Sequence, residues 1–228
     1  FRLGEYHHAK DTFEQVYEAR KRTLGEGHPD TLSGLDGLAS TYFRLGEYHH
    51  AKDTFEQVYE ARKRTLGEEH PDTLISLNNL AFTYSGLGEY QRAKELKEQV
   101  YEQRKRILGE DHPDTLSSLN KLAFAYGELG DHHRAKELQE KVYEARKRTL
   151  GEEHPDTLSS LHNLAFTCGD LGEHHRAKEL GKLVYEARKR TLGEEHPDTQ
   201  RTVQRMITLC ETMGDTAQAD EWRKRLAE

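Results

Sequence analysis

The tetrapeptide His-Pro-Asp-Thr starts at His28, His70, His112, His154 and His196, always 42 residues apart. A fixed period in the range of ~20–50 residues restricts a chain to stacked copies of one supersecondary unit. Two Leu-Gly pairs run in the same register, one at Leu24, Leu66, Leu108, Leu150 and Leu192, the other at Leu3, Leu45, Leu87, Leu129 and Leu171. Residues 1–32 and 43–74 are identical except at Gly27 and Glu69, the mark of a tandem copy. A stack of repeats has a thin core and a large wetted surface, and 34% hydrophobic against 33% charged residues fits that ratio.

The unit after His70 reads as two helices. Leu74, Leu77, Leu80, Ala81, Tyr84 and Leu87 recur at steps of three and four, which places them on one face of a first helix, A. Pro71 suits its first turn, Asp72 its positive end, and Gly88 the left-handed conformation just past its last turn. Helix B follows over about 90–108, with Tyr90, Ala93, Leu96 and Val100 inward. Arg104, Lys105 and Arg106 sit at its negative end, and the spacing predicts i,i+4 pairs Glu102–Arg106, Glu60–Arg64 and Glu144–Arg148 on a solvated outer face.

Carried along the chain, this reading predicts B helices near 5–24, 48–66, 90–108, 132–150 and 174–192, a shorter one near 216–227, and five A helices between them. The domain expectation is one solenoid over 1–228, with a partial repeat 1–28, repeats 29–70, 71–112, 113–154 and 155–196, and a capping repeat 197–228. Phe1-Arg2-Leu3-Gly4 reads as the tail of an A helix, so the chain is expected to start inside a repeat of a longer array. Met206, Ile207 and Trp222 stand where Leu80, Ala81 and Leu96 stand in the second complete unit, the atypical composition that a terminal repeat requires. Cys168 and Cys210 replace the tyrosines Tyr42, Tyr84 and Tyr126 and are expected as buried, reduced thiols, each in its own unit.

These residues carry a family resemblance. Leu77-Asn78-Asn79-Leu80-Ala81-Phe82-Thr83-Tyr84, then Leu87-Gly88-Glu89-Tyr90 and Ala93, is similar to a tetratricopeptide repeat. The 42-residue length with Leu-Gly-Glu-x-His-Pro-Asp-Thr between units resembles the kinesin-light-chain class, over essentially the whole chain. The resemblance implies an all-α fold, a right-handed superhelical solenoid of antiparallel helix pairs whose A helices line a concave groove. Similar arrays serve as sensor regions of fungal and bacterial NTP-switch receptors, so this chain is expected to belong to a longer receptor.

On that placement the groove face of the second complete unit comprises Ile75, Asn78, Asn79, Phe82, Ser85 and Gly86. Phe82, Phe124 and Phe166 form a ladder one repeat apart, flanked by Asn79, Lys121 and Asn163 and by Asn78, Asn120 and His162. Asparagine amides can donate to and accept from a ligand backbone, and aromatic rings give contact area to its side chains. In kinesin-light-chain-like domains, asparagines here contact bound peptide. Asn79 and Asn163 match that placement, whereas Gly37, Lys121 and Arg205 depart from it. The other reading wedges the phenylalanines, buried, between successive A helices. Lys121, His162, Arg201 and Arg205 enrich the C-terminal half in positive or protonatable groups, which predicts a protein or peptide ligand with acidic and aromatic residues.

Adjacent histidine pairs at His7, His49, His132 and His174 add no third ligand at a useful spacing, so no metal site and no cofactor is expected. The five His-Pro-Asp histidines read as structural. Phe13 and Phe55 lie four residues after an alanine, whereas Leu96, Leu138 and Leu180 lie three after one, so packing is expected to differ between the two halves. A net charge of −7 with interspersed signs lacks the basic stripe of a nucleic-acid surface. No run of ~18 apolar residues and no leader is present, so a cytoplasmic, membrane-free protein is expected. No phosphate loop or nucleophile motif breaks the period, so the chain is not read as an enzyme. The expected function is to hold a partner segment in the A-helix groove; the alternative is a structural or self-assembling scaffold.

Overall fold

A computed structural model of the chain describes residues 2–226, and among them the regular structure consists of eleven α-helices. They are α1 (Arg2–Leu24), α2 (Pro29–Arg44), α3 (Tyr48–Leu66), α4 (Pro71–Gly86), α5 (Tyr90–Leu108) and α6 (Pro113–Glu128). The series continues with α7 (His132–Leu150), α8 (Pro155–Asp170), α9 (His174–Leu192), α10 (Pro197–Thr212) and α11 (Thr216–Arg223). Even-numbered helices are the A helices and odd-numbered ones the B helices of the sequence reading. The fold is all-α and repetitive, as the period requires.

Each A helix starts on proline, and the residue before it does more than the sequence reveals. The imidazole Nδ1 of His28, His70, His112, His154 and His196 accepts the amide N–H of the aspartate two residues on, at 3.1–3.2 Å. Histidine thus supplies the N-cap acceptor that serine, threonine, asparagine or aspartate usually provides. At the other end Gly46 (φ 78°) and Gly88 (φ 78°) turn the chain in the left-handed region. Beside the first of them, the amide of Glu47 bonds to the carbonyl of Tyr42 at 2.9 Å, satisfying a carbonyl the last helical turn leaves open.

Four expectations change. The Leu3-Gly4 turn is not formed: α1 is continuous from Arg2. Phe1 lies outside the described residues. The last helix ends at Arg223, because Arg225 and Leu226 tighten into i→i+3 bonds on Trp222 and Arg223, at 3.0 and 3.1 Å. In two of the three predicted i,i+4 pairs the arginine bonds across repeats instead: Arg106 pairs with Glu69, and Arg148 with Asp111 at 2.5 Å. Finally, Tyr90 is 39% exposed instead of inward. Tyr48 packs edge-on against Phe43 at 5.1 Å, but the matching position before Tyr90 is Ser85, which offers no ring to lie on.

The described chain divides into two compact units, residues 1–107 and 108–228. In the first, Leu77, Leu80 and Ala81 of α4 pack on Ala51 and Phe55 of α3 and on Leu96 and Val100 of α5. Between the two B helices Tyr84 lays its ring on this core and donates its hydroxyl to Glu56 at 2.9 Å. One repeat earlier Tyr42 does the same with Glu14 at 3.0 Å. In the second unit Leu161, Leu164 and Cys168 of α8 pack on Ala177 and Val184 of α9, while Met206, Cys210 and Trp222 belong to a further cluster with Tyr185. Both cysteines are buried free thiols, and burial pushes the Cys168 thiol up to about 11.

The expected difference in packing is present. Phe55 is buried against the unit-1 core; Lys97, one repeat on, is also buried and reaches Ser85 Oγ at 3.2 Å. In unit 2 the same position holds buried Gln139 and then Gly181. A Cβ at Gly181 would stand 2.3 Å from the sulfur of Met206, so the methionine fills the place the glycine leaves.

Candidate partner-binding face

Along each A helix the residues facing the B helices are buried, and the opposite stripe carries the ladder. Phe82 is 57%, Phe124 42% and Phe166 37% exposed. Burying such a ring gains ~1.5–3 kcal/mol over leaving it in water, so each withholds stabilisation that a partner could supply.

In unit 1 Phe82 leans on Phe43, ring centroids 4.9 Å apart and tilted by 38°, and the pair borders a recess of about 400 Å³ that Asn79, Phe55 and Arg44 also line. Phe43 was not singled out from sequence. Its signal was available, since Ser85, Gly127 and Gly169 stand at the same repeat position. Ile75 is exposed, and Asn78 and Asn79 are half-buried. Asn79 hydrogen-bonds to the Asp36 carboxylate of the preceding repeat. Burial raises the pKa of Asp36, opposed by Arg62, 3.4 Å away, and by Asn79.

In unit 2 the amide of Asn163 donates to Asn120 Oδ1 at 3.2 Å. Asn79 and Asn163 therefore already spend hydrogen-bonding capacity on the neighbouring repeat. Lys121 is half-buried and has a partner of its own. A recess of about 140 Å³ lies among α8, α9 and α10, bordered by His162, Phe166, Asp170, His174, Arg205 and Leu209. The guanidinium of Arg205 lies over the Phe166 ring, 3.8 Å from its centroid, and no carboxylate among the described residues forms an ion pair with it. Nδ1 of His174 is buried beside the recess without a hydrogen-bond partner among the described residues. Phe124 lines neither recess.

The predicted charge of this half is narrower than its residue types suggest. Burial, then Arg188, Arg205 and Arg201, hold the His162 pKa down at about 4, so the ring is neutral near pH 7. Arg201 is paired with Asp198 at 2.8 Å. Arg205 forms no ion pair among the described residues, although the Asp170 carboxylate on the rim of the same recess, its pKa raised by burial, is close enough for the arginine to oppose that rise. No group of three or more metal-ligating side chains converges among the described residues, and no helix there is long and apolar enough to cross a membrane.

With the face described, comparison with known proteins gives the family. The tetratricopeptide repeat model matches residues 1–64, 38–106, 72–148 and 114–190, four overlapping windows that cover most of the chain. The chain belongs to the tetratricopeptide repeat family. Among solved structures, the putative kinesin light chain nearly identical TPR-like repeats of Podospora anserina are 34% identical over 87% of this chain and 94% of that one, TM-score 0.74. A singly substituted form of the same repeats is 35% identical over 83% and 90%, TM-score 0.75. A Rap protein complexed with Competence and Sporulation Factor shares the fold at 13% identity, over 94% of this chain and 57% of that one, TM-score 0.72. No curated protein sequence matches the chain. Tetratricopeptide repeats are in general protein-interaction or scaffold modules, and this repeat array is of the kinesin-light-chain-like type.

Proposed function

We propose that this tetratricopeptide array holds a segment of a partner protein against its A-helix face, with the phenylalanine ladder as the apolar anchor and Arg205 as the cationic one. The observation that carries the reading is the exposure of Phe82, Phe124 and Phe166 on helices whose other faces are buried. Arg205 supports it: stacked on Phe166, its guanidinium loses little freedom when a carboxylate arrives. The ligand is then a segment combining an aromatic or large apolar side chain with an acidic one. The asparagines act in second place, because Asn79 and Asn163 also tie successive repeats together. A Rap protein that shares this fold has been solved in complex with Competence and Sporulation Factor, which is in keeping with the reading.

The test is to pan a displayed peptide library on the chain and on the Phe82→Ala, Phe124→Ala, Phe166→Ala triple variant. Sequences enriched on the wild type should pair an aromatic with an acidic residue, bind more weakly as salt rises, and lose most of their affinity for the triple variant. Enriched peptides that bind both proteins equally would remove the A-helix face from consideration.

A further inference from the structure

In a repeat array each unit is a template for the others, so a space filled in one repeat and open in the next is informative. Between α3 and α5 the space over Leu77 and Leu80 is taken by the Tyr84 ring, whose hydroxyl meets Glu56 and Arg92. Between α9 and α11 the tyrosine is replaced by Cys210, but Trp222 enters instead, 4% exposed and edge-on to Tyr185 at 5.0 Å. Between α7 and α9 the tyrosine is replaced by Cys168, a smaller side chain buried in one cluster with Leu161 and Leu164. A notch of about 310 Å³ remains, with Leu161 and Leu164 as its floor, Tyr143, Leu180 and Leu183 as walls, and Glu140 and Arg176 at its rim. It stands at the small end of the ~300–1,000 Å³ usual for ligand sites.

Two further departures from the period meet at this notch. Leu183 is 60% exposed where the other repeats have Gln57, Gln99 and Lys141, an apolar side chain placed in water at a position otherwise polar. Glu140 and Arg176, the counterparts of Glu56 and Arg92, have no tyrosine to share and pair with each other at 2.8 Å.

We propose that the notch between α7 and α9 is a docking site for a tyrosine side chain of a partner protein, distinct from the A-helix face. The ring would lie on Leu161, Leu164 and Leu180, the counterparts of Leu77, Leu80 and Leu96 in the core against which Tyr84 packs. The phenol would donate to Glu140 and accept from Arg176, the two groups that Tyr84 meets in unit 1. A free phenolic molecule would fill the floor yet leave Leu183 wet. A protein surface around the tyrosine covers it, which is why the occupant is a protein.

The test uses the full chain with methyl-labelled leucines and p-cresol as the probe. The methyl signals of Leu161, Leu164, Leu180 and Leu183 should shift saturably, and toluene should bind about tenfold more weakly because it leaves the Glu140–Arg176 pair without the phenol. Cys168→Tyr should abolish the shifts by restoring the intramolecular ring. Leu183→Lys, which copies Lys141 at the surface and leaves the core alone, should weaken p-cresol severalfold. Absence of saturable shifts, or shifts that survive both substitutions, would overturn the proposal. A peptide library panned on the Phe82→Ala, Phe124→Ala, Phe166→Ala variant, with Cys168→Tyr as counter-selection, should enrich an invariant tyrosine that phenylalanine does not replace. Failure to enrich one, or a chain mass that rises with concentration in the wild type but not in Cys168→Tyr, would assign the notch to a small phenol or a second copy and refute the partner protein.

Discussion

The gap between α3 and α5 in unit 1 and the gap between α7 and α9 in unit 2 are built on one plan and finished differently. In the first, Tyr84 packs on the core, and on α5 Lys97 is buried and reaches Ser85. In the second, Cys168 and Gly181 stand at those two positions; Met206 reaches in to occupy the glycine's place, and the tyrosine's place stays open. The backbone plan survives both arrangements, because each repeat leans chiefly on its neighbours and volume lost in one helix can be supplied by the next. What does not survive is the closed outer surface.

The largest test of that reading is at the third gap, where Trp222 is the filler. Trp222→Ala should cost about 3–5 kcal/mol, the usual range for deleting a buried aromatic. Amide exchange should report the loss in α10 and α11 while unit 1 keeps its protection. Tyr84→Cys would carry the unit-2 arrangement into unit 1. It should cost about 2–3 kcal/mol in a denaturant titration and open a notch that binds p-cresol. A cost near zero would mean that the tyrosines close a surface and hold up nothing.

Acid should separate the units next. His162 is neutral when folded, with a pKa near 4, and titrates near 6.5 when unfolded. Between those values the unfolded chain binds the extra proton, so lowering pH through this window should remove about 3 kcal/mol from unit 2. His162→Gln should abolish that part of the pH dependence. At the equivalent position in unit 1, Asp36 has a raised pKa, so the folded form takes up its proton first and the sign reverses: acid favours folding there. Amide exchange at two pH values reads both units at once. The smallest effect belongs to a feature both units share. His70→Ala removes one N-cap and should cost about 1 kcal/mol, whereas His70→Asn should retain most of it.

How far the sequence reaches depends on what repeats. The 42-residue period, the proline starts and the glycine ends place five B helices to within a residue or two at each bound, except at α1, which begins at Arg2 and runs through Leu3-Gly4. The ladder residues are legible as a stripe because one face of a helix is a matter of spacing. Their state is less so. Asn79 and Asn163 look like free clamps until Asp36 and Asn120, 43 residues earlier, are found bonded to them. His162 looks like a cation until burial and three arginines are counted around it.

The amino-acid order alone determined the all-helical class, the repeat length and the helix boundaries, since these follow from local spacing and from the backbone preferences of proline and glycine. Only the tertiary structure decided that histidine caps each A helix, that Met206 stands in for a missing side chain at Gly181, and that the place of a tyrosine beside Cys168 is left open. The cap is a choice of acceptor two residues from its donor, which spacing alone leaves open; the other two are facts about which side chain reaches a given volume, and the residues concerned stand on different helices.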